Sequence, residues 1–269
     1  MPESKTFSYR TVADTNLEMD VFPAEKGEGL RPGVLFIHGG GWSAGKRTAF
    51  TWHARELAKL GFVTATASYR LAPTHIYPAA LEDCQCAMRW LRAHAAEWNL
   101  DPSRIGAFGS SAGGHLAACL GVRDTVSDCE PALSGFSSRA QCVVDVHGIH
   151  DFITLEDDAI VECKIAFLGG AREENLETWK DASPITFVDG RSAPVMLTHD
   201  PNETTVPYQQ SVAFATALIE AERPVDFLPT PGSGHGFVYN PENSWTKYLW
   251  PRAVAWLSFW LELETGTGI

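Results

Sequence analysis

The segment Ile105-Gly-Ala-Phe-Gly-Ser-Ser-Ala-Gly-Gly-His-Leu-Ala117 joins an apolar run, a glycine-flanked serine and a stretch of helical periodicity. An apolar run that passes straight into a helix through Gly109-x-Ser111-x-Gly113 describes a strand ending in a turn tight enough to need glycine on either side. In that register Ser111 is lifted out of the sheet edge and Ser110 is its neighbour. The Ser111 hydroxyl then stands at a helix N-terminus, where free N–H groups and the helix dipole favour developing negative charge. The same residues could form an ordinary Gly/Ser helix cap, so the rest of the chain has to decide between the two.

Around this segment the pattern is regular. Tyr9–Val12 and Leu17–Phe22 alternate and are separated by Ala13–Asn16, which predicts an antiparallel hairpin at a sheet edge. Compact apolar runs follow at Val34–Ile37, Phe62–Ala67, Ile105–Phe108, Cys142–Val146, Val195–Thr198 and Val225–Leu228, each expected as a strand buried on both faces. Helical periodicity fills Thr48–Leu60, Ala79–Trp98, Ala112–Leu120, Val206–Glu222 and Asn243–Glu262. In the last of these, Leu249, Ala253, Trp256 and Trp260 form one apolar face that is expected to pack on the sheet. Strands alternating with helices imply an α/β architecture: a mostly parallel sheet of about eight strands with helices on both faces. With no linker or repeat to divide it, the chain is expected to form one domain over residues 1–269. Arg123–Ala140 and Gly148–Ser183 fit neither pattern; the second, long and acidic, is expected to form a small cap or pocket wall.

Composition narrows the partners. The 269 residues are 45% apolar, and 21 Lys and Arg face 33 Asp and Glu, a formal charge of −12. That charge repels phosphate backbones and anionic lipid, so nucleic acid and membrane are not expected as partners. The N-terminal MPESKTFSYR has no apolar stretch of signal-peptide type and no later run is long enough to span a bilayer, which predicts a cytoplasmic protein. Cys84, Cys86, Cys119, Cys129, Cys142 and Cys163 are too dilute for a disulfide framework. Without Cys-x-x-Cys or His-Glu-x-x-His, they read as buried apolar thiols, and neither a metal nor an organic cofactor is expected.

A second segment supports a catalytic reading of Ser111. Val34-Leu-Phe-Ile-His-Gly-Gly-Gly-Trp42 places three glycines at the end of a buried strand. The N–H groups of Gly39 and Gly40, with that of Ala112, are expected to bind a carbonyl oxygen as it becomes an oxyanion. Ser111 needs a base. Of nine histidines, His235 lies in the glycine-rich loop Pro231-Gly-Ser-Gly-His-Gly-Phe237 after the last strand, where an imidazole can reach over the sheet edge. The acid that orients it should come from Thr198-His-Asp-Pro-Asn-Glu-Thr-Thr-Val-Pro207, which offers Asp200 and Glu203.

Taken in order, His38-Gly-Gly-Gly-Trp42, Tyr69-Arg-Leu-Ala-Pro73, the Gly109–Gly113 turn with Gly114-His-Leu-Ala117, Ala182-Ser-Pro184 and Gly234-His-Gly-Phe237 resemble the α/β-hydrolase fold. Within it they are similar to bacterial esterases of the hormone-sensitive-lipase type and to feruloyl-esterase-like lipases. The resemblance spans nearly all of the chain after residue 30. The acid loop of that family reads His-Gly-x-x-Asp-x-x-Val-Pro; laid on His199–Pro207 it implies Glu203 as the acid, with Asp200 as the alternative. Here the sequence departs from the family, with a longer carboxylate at the acid and Asp200 in place of a glycine. The first buried strand also starts too early for the long N-terminal cap helices of many such relatives, which implies a more open cleft covered mainly by residues 148–183.

The resemblance implies a serine carboxylesterase acting on small, short-chain acyl esters. The pocket is expected to be apolar and to involve Trp42, Ile149, Phe152, Phe237 and Val238, with core packing the alternative for Ile149 and Val238. An aryl formamidase or aminopeptidase-type amide hydrolase would use the same triad. A binding module that has lost catalysis would have no reason to keep all the parts. The motifs leave a homodimer open. Much of the negative charge falls at Glu156-Asp157-Asp158, Glu162, Glu173-Glu174 and Glu177, an acidic rim expected to disfavour anionic esters.

Overall fold

Two strands of opposite sense open the chain, β1 (Lys5–Val12) and β2 (Thr15–Phe22), turning at Ala13 with φ 48°. The computed structural model describes residues 3–125, 131–154 and 160–263. Next come β3 (Arg31–Ile37), α1 (Thr51–Leu60), β4 (Val63–Ala67), α2 (Ala79–Ala93), β5 (Leu100–Ser110) and α3 (Ala112–Val122). The second half holds β6 (Val143–Val146), α4 (Val161–Leu168), α5 (Leu176–Ala182), β7 (Val195–His199), α6 (Gln209–Glu220), β8 (Val225–Pro229) and α7 (Ser244–Trp260).

The eight strands form one sheet in the order β1-β2-β4-β3-β5-β6-β7-β8. β2 meets β4 antiparallel, and from β4 to β8 every pairing is parallel. This is the α/β-hydrolase fold, with the N-terminal hairpin at the edge as expected. The order reverses between β3 and β5: the chain leaves β3 for β4 on one side, then returns to β5 on the other. At such a reversal the two outgoing loops diverge and leave a crevice at the carboxyl ends of the strands. Ile37 pairs with Gly109, so the His38–Trp42 loop and Ser111 emerge side by side there.

Side chains alternate across the sheet. Leu35 and Ile37 of β3 join α2, α3 and α6 in one core, whereas Val34 and Phe36 join α1 and α7 in the other. In the second core Phe36 lies 5.2 Å from Phe108 and 5.6 Å from Phe50, ring centre to ring centre. Each such burial contributes roughly 1.5–3 kcal/mol, so both faces of the sheet are held.

Three details differ from the sequence reading. β8 is only half-buried, because it is the edge strand and has one neighbour, β7. The buried face of α7 is Thr246, Leu249, Ala253 and Leu257, while Trp256 and Trp260 flank it, partly exposed. Cys163 is half-buried, whereas Cys84, Cys86, Cys119 and Cys142 are buried free thiols. Cys129, Glu156, Asp157 and Asp158 lie outside the described residues. The insertion after β6 carries α4 and α5. The polar stretch after α3 is strapped to α2 by Arg92, which donates to the carbonyls of Pro102, Ser137 and Arg139. Among the described residues no helix is long and apolar enough to cross a membrane.

Candidate active site

Ser111 stands between β5 and α3 with φ 56° and ψ −124°, a conformation costly for a residue with a side chain. The glycines beside it make the turn sterically feasible. A Cβ on Gly109 would lie 2.0 Å from the Gly113 carbonyl oxygen, and one on Gly113 would lie 2.1 Å from that of Ile37. The Ser111 N–H donates to Val146 O at 2.9 Å, which ties the turn to β6. Ser110 points inward and is fully buried.

The loop after β8 brings His235 over the sheet edge, and its Nε2 lies 3.0 Å from Ser111 Oγ. Its Nδ1 lies 2.9 Å from Glu203 Oε2, at ion-pair distance but off the straight hydrogen-bond line, as is common before a substrate tightens a site. The other Glu203 oxygen lies 3.0 Å from His199 Nε2 and accepts the Val206 N–H at 3.1 Å. Because His199 Nε2 also faces Val206 O at 3.0 Å, that nitrogen carries the proton, and His199 donates to Glu203. Burial alone would raise the Glu203 pKa. The hydrogen bond from His199 and the close His235 imidazole outweigh it and hold the carboxyl well below the usual range.

Asp200 does a different job. Its Oδ2 accepts the Gly234 N–H at 2.8 Å and its Oδ1 the Asn202 N–H at 2.9 Å. The position that carries glycine in the resembling family thus serves as a brace for the loop that presents His235.

The glycine loop needs a correction. The Gly39 N–H already donates to Tyr239 Oη at 2.7 Å, so it is not free to receive an oxyanion. Gly40 and Gly41 have φ of 116° and 57°, and among the described residues no acceptor engages their N–H groups or that of Ala112. The loop lies against the serine: a Cβ on Gly39 would sit 3.2 Å from Ser111 Cβ. On the other side Cys163 of α4 faces it, since a Cβ on Gly41 would sit 3.3 Å from Cys163 Sγ.

All five residues expected in the pocket are buried. Trp42 is fully buried, stacking on Phe167 at 4.5 Å and donating from Nε1 to His115 Nδ1 at 3.0 Å. His115 Nε2 in turn donates to Ala182 O at 2.8 Å. Trp42 therefore ties the glycine loop to α3 and α5 and offers a ligand no surface. Ile149 and Val238 are equally closed, each 1% exposed, and act as core. Phe237 is 4% exposed, two residues after His235. Phe152 borders a cavity of about 210 Å³ whose walls include Ile165, Arg172 and Trp179.

Some parts had no signal in the sequence. His147 is buried, left-handed at φ 44°, and lies under His235 with ring centres 4.2 Å apart. Burial and the neighbouring His235 and His199 push its pKa down, so it stays neutral. Among the described residues no three His, Cys, Asp or Glu side chains are grouped to hold a metal ion.

The BD-FAE family profile matches residues 19–218. The chain belongs to the BD-FAE family. It is 30% identical over 216 residues to the probable carboxylic ester hydrolase LipM of Mycobacterium tuberculosis, covering 78% of this chain and 50% of LipM. Esterase LipC of the same organism is 29% identical over 220 residues, covering 77% of this chain and 53% of LipC. The chain thus spans about half the length of the curated relatives it matches. Among solved structures, this BD-FAE protein superposes on butyrate-bound Est2, an esterase of Thermogutta terrifontis, with a TM-score of 0.86 and 25% identity, over 99% of this chain and 97% of Est2.

Proposed function

We propose that the protein is a serine carboxylesterase acting on small, neutral, short-chain acyl esters, with the whole chain serving as one hydrolase domain. The observation that carries this reading is the line Ser111 Oγ, His235 and Glu203, at 3.0 and 2.9 Å, beside a glycine loop with unengaged N–H groups. His235 Nε2 takes the proton as Ser111 attacks the acyl carbonyl, and Glu203 holds the imidazole with its other nitrogen protonated. The N–H groups of Gly40, Gly41 and Ala112 receive the oxyanion. His235 then returns the proton to the leaving alcohol, and water repeats the sequence to release the acid.

The names of the relatives support the reaction class. The butyrate and propionate named for bound forms of Est2 support a short acyl chain. Exposed Ile76, Val161 and Ile165 around the insertion suit an uncharged acyl group, and residues 148–183 serve as the cover of the cleft.

The test is hydrolysis of p-nitrophenyl acetate and butyrate by wild-type protein and Ser111→Ala, with fluorophosphonate labelling alongside. Wild type is expected to turn over and to be labelled. Ser111→Ala is expected to lose roughly 10⁴–10⁶-fold in kcat and all labelling. Retained turnover in Ser111→Ala would overturn the assignment.

A further inference from the structure

Tyr239 lies four residues after His235, yet its hydroxyl is bound across the site. It receives the Gly39 N–H at 2.7 Å and lies near the Ser110 side chain. Ser110 Oγ in turn lies 2.9 Å from His147 Nε2, and the His147 ring lies under that of His235. A single chain of contacts thus runs from the oxyanion loop, beneath the nucleophile, to the base.

The proton positions along it follow from what is left unpaired. His147 Nδ1 is buried and has no partner among the described residues. A proton there would bury an unpaired N–H, so the cheaper tautomer carries it on Nε2 and donates to Ser110 Oγ. The Ser110 hydroxyl proton is then free to turn toward Tyr239 Oη, which accepts the Gly39 N–H. The Tyr239 ring is fixed as well, 5.0 Å from Phe50, on the short turn Phe237–Tyr239.

We infer that Tyr239 is a positioning residue: its hydroxyl locks the glycine loop to the loop that bears His235, and by occupying the Gly39 N–H it leaves Gly40 and Gly41 aimed at the substrate. The space confirms how closely these parts meet. A Cβ at Gly39 would lie 2.8 Å from Tyr239 Oη and 2.6 Å from Ser110 O, so the loop has one place to sit while the phenol holds it. The inference rests on the esterase reading above.

The test is Tyr239→Phe, which keeps the ring and removes the anchor. Expected is a fall in kcat of roughly 10–100-fold with KM within about twofold, since the loss is of oxyanion stabilisation, felt in the transition state. A trifluoromethyl ketone inhibitor, whose adduct places an oxyanion in the same hole, should weaken by the factor lost in kcat/KM. Inhibition by butyrate should not change. Ser110→Ala, which keeps the Gly39 bond, should lose less than Tyr239→Phe. Unchanged kcat and inhibitor affinity in Tyr239→Phe would overturn the inference. So would a loss explained by fewer active sites in fluorophosphonate titration, which would make Tyr239 merely structural. If instead wild-type protein neither hydrolyses esters nor labels at Ser111, it is the esterase reading that fails. Hydrogen exchange of the 38–42 backbone, expected to quicken in Tyr239→Phe, still reports on the anchor in that case.

Discussion

Asp200 Oδ2 accepts the Gly234 N–H at 2.8 Å, one residue before His235. Two carboxylates three positions apart in one loop thus hold the same histidine in different ways, Glu203 at its ring and Asp200 through the backbone of the residue before it. Glu203→Gln would present an amide N–H to His199 or His235, each of which offers a proton of its own, and is expected to cost roughly 10²–10⁴-fold in kcat. Asp200→Asn keeps an acceptor for Gly234 and should stay within about tenfold of wild type in kcat. Its main effect should be a Tm lower by roughly 2–6 °C. Steady-state kinetics and melting curves of the two variants check this, and the reverse ranking in kcat would exchange their roles.

The Gly109–Gly113 turn predicts a sharper structural failure. A Cβ on Gly113 would lie 2.1 Å from Ile37 O and 2.6 Å from His38 O, and both oxygens belong to backbone that cannot swing aside. Gly113→Ala is therefore expected to push α3 off β3 and to yield insoluble or unfolded protein. Gly190→Ala is the control, because a Cβ there meets nothing within 4 Å. Soluble expression and circular dichroism of the pair decide the matter.

Much of this arrangement can be read from local sequence because its parts sit where strands end. Ser111, Glu203 and His235 each lie in a loop directly after a strand, and the parallel sheet brings such loops to one edge. The glycine loop shows the limit. Gly39, Gly40 and Gly41 are identical as letters, and only a tyrosine two hundred positions away distinguishes the first from the others. His147 is hidden for the same reason, since its position beneath His235 depends on β6 neighbouring β7. Trp42 misled because a tryptophan beside a catalytic loop reads as a wall, whereas its N–H is taken by His115. Val225–Leu228 has the composition of an internal strand, and its edge position follows from topology alone.

Buried histidines set how the fold responds to acid. His53 and His115 both have pKa values pushed down to about 3, mainly by burial. The unfolded chain binds protons at these sites below about pH 6.5 while the folded protein does not. The stability they contribute is therefore complete above that pH and declines as pH falls toward 3, by about 1.4 kcal/mol per pH unit for each. The depressed Glu203 carboxyl acts in the same direction, its contribution present above about pH 4.3 and lost below it. Urea unfolding at pH 7, 6 and 5 should give a midpoint that falls at each step. A flat profile would mean that these histidines are protonated in the fold.

The negative charge of the 148–183 insertion is partly offset by cations of its own. Among the described residues, exposed Glu162, Glu173, Glu174 and Glu177 are offset by Lys180, 2.9 Å from Glu177, and by Arg172, 3.6 Å from Glu173. Among these six side chains an excess of two negative charges remains. At a separation of about 8 Å in water each unit is worth about 0.5 kcal/mol, so a neutral butyrate ester should exceed the matching succinate half-ester in kcat/KM by roughly two- to fivefold from this source. Raising the salt to 0.5 M shortens the Debye length well below that separation and should remove most of the difference. Parallel assays of the two esters at low and high salt measure it. A preference that is large and indifferent to salt would place the discrimination inside the cleft, in contacts with the acyl group, and not in the field of its rim.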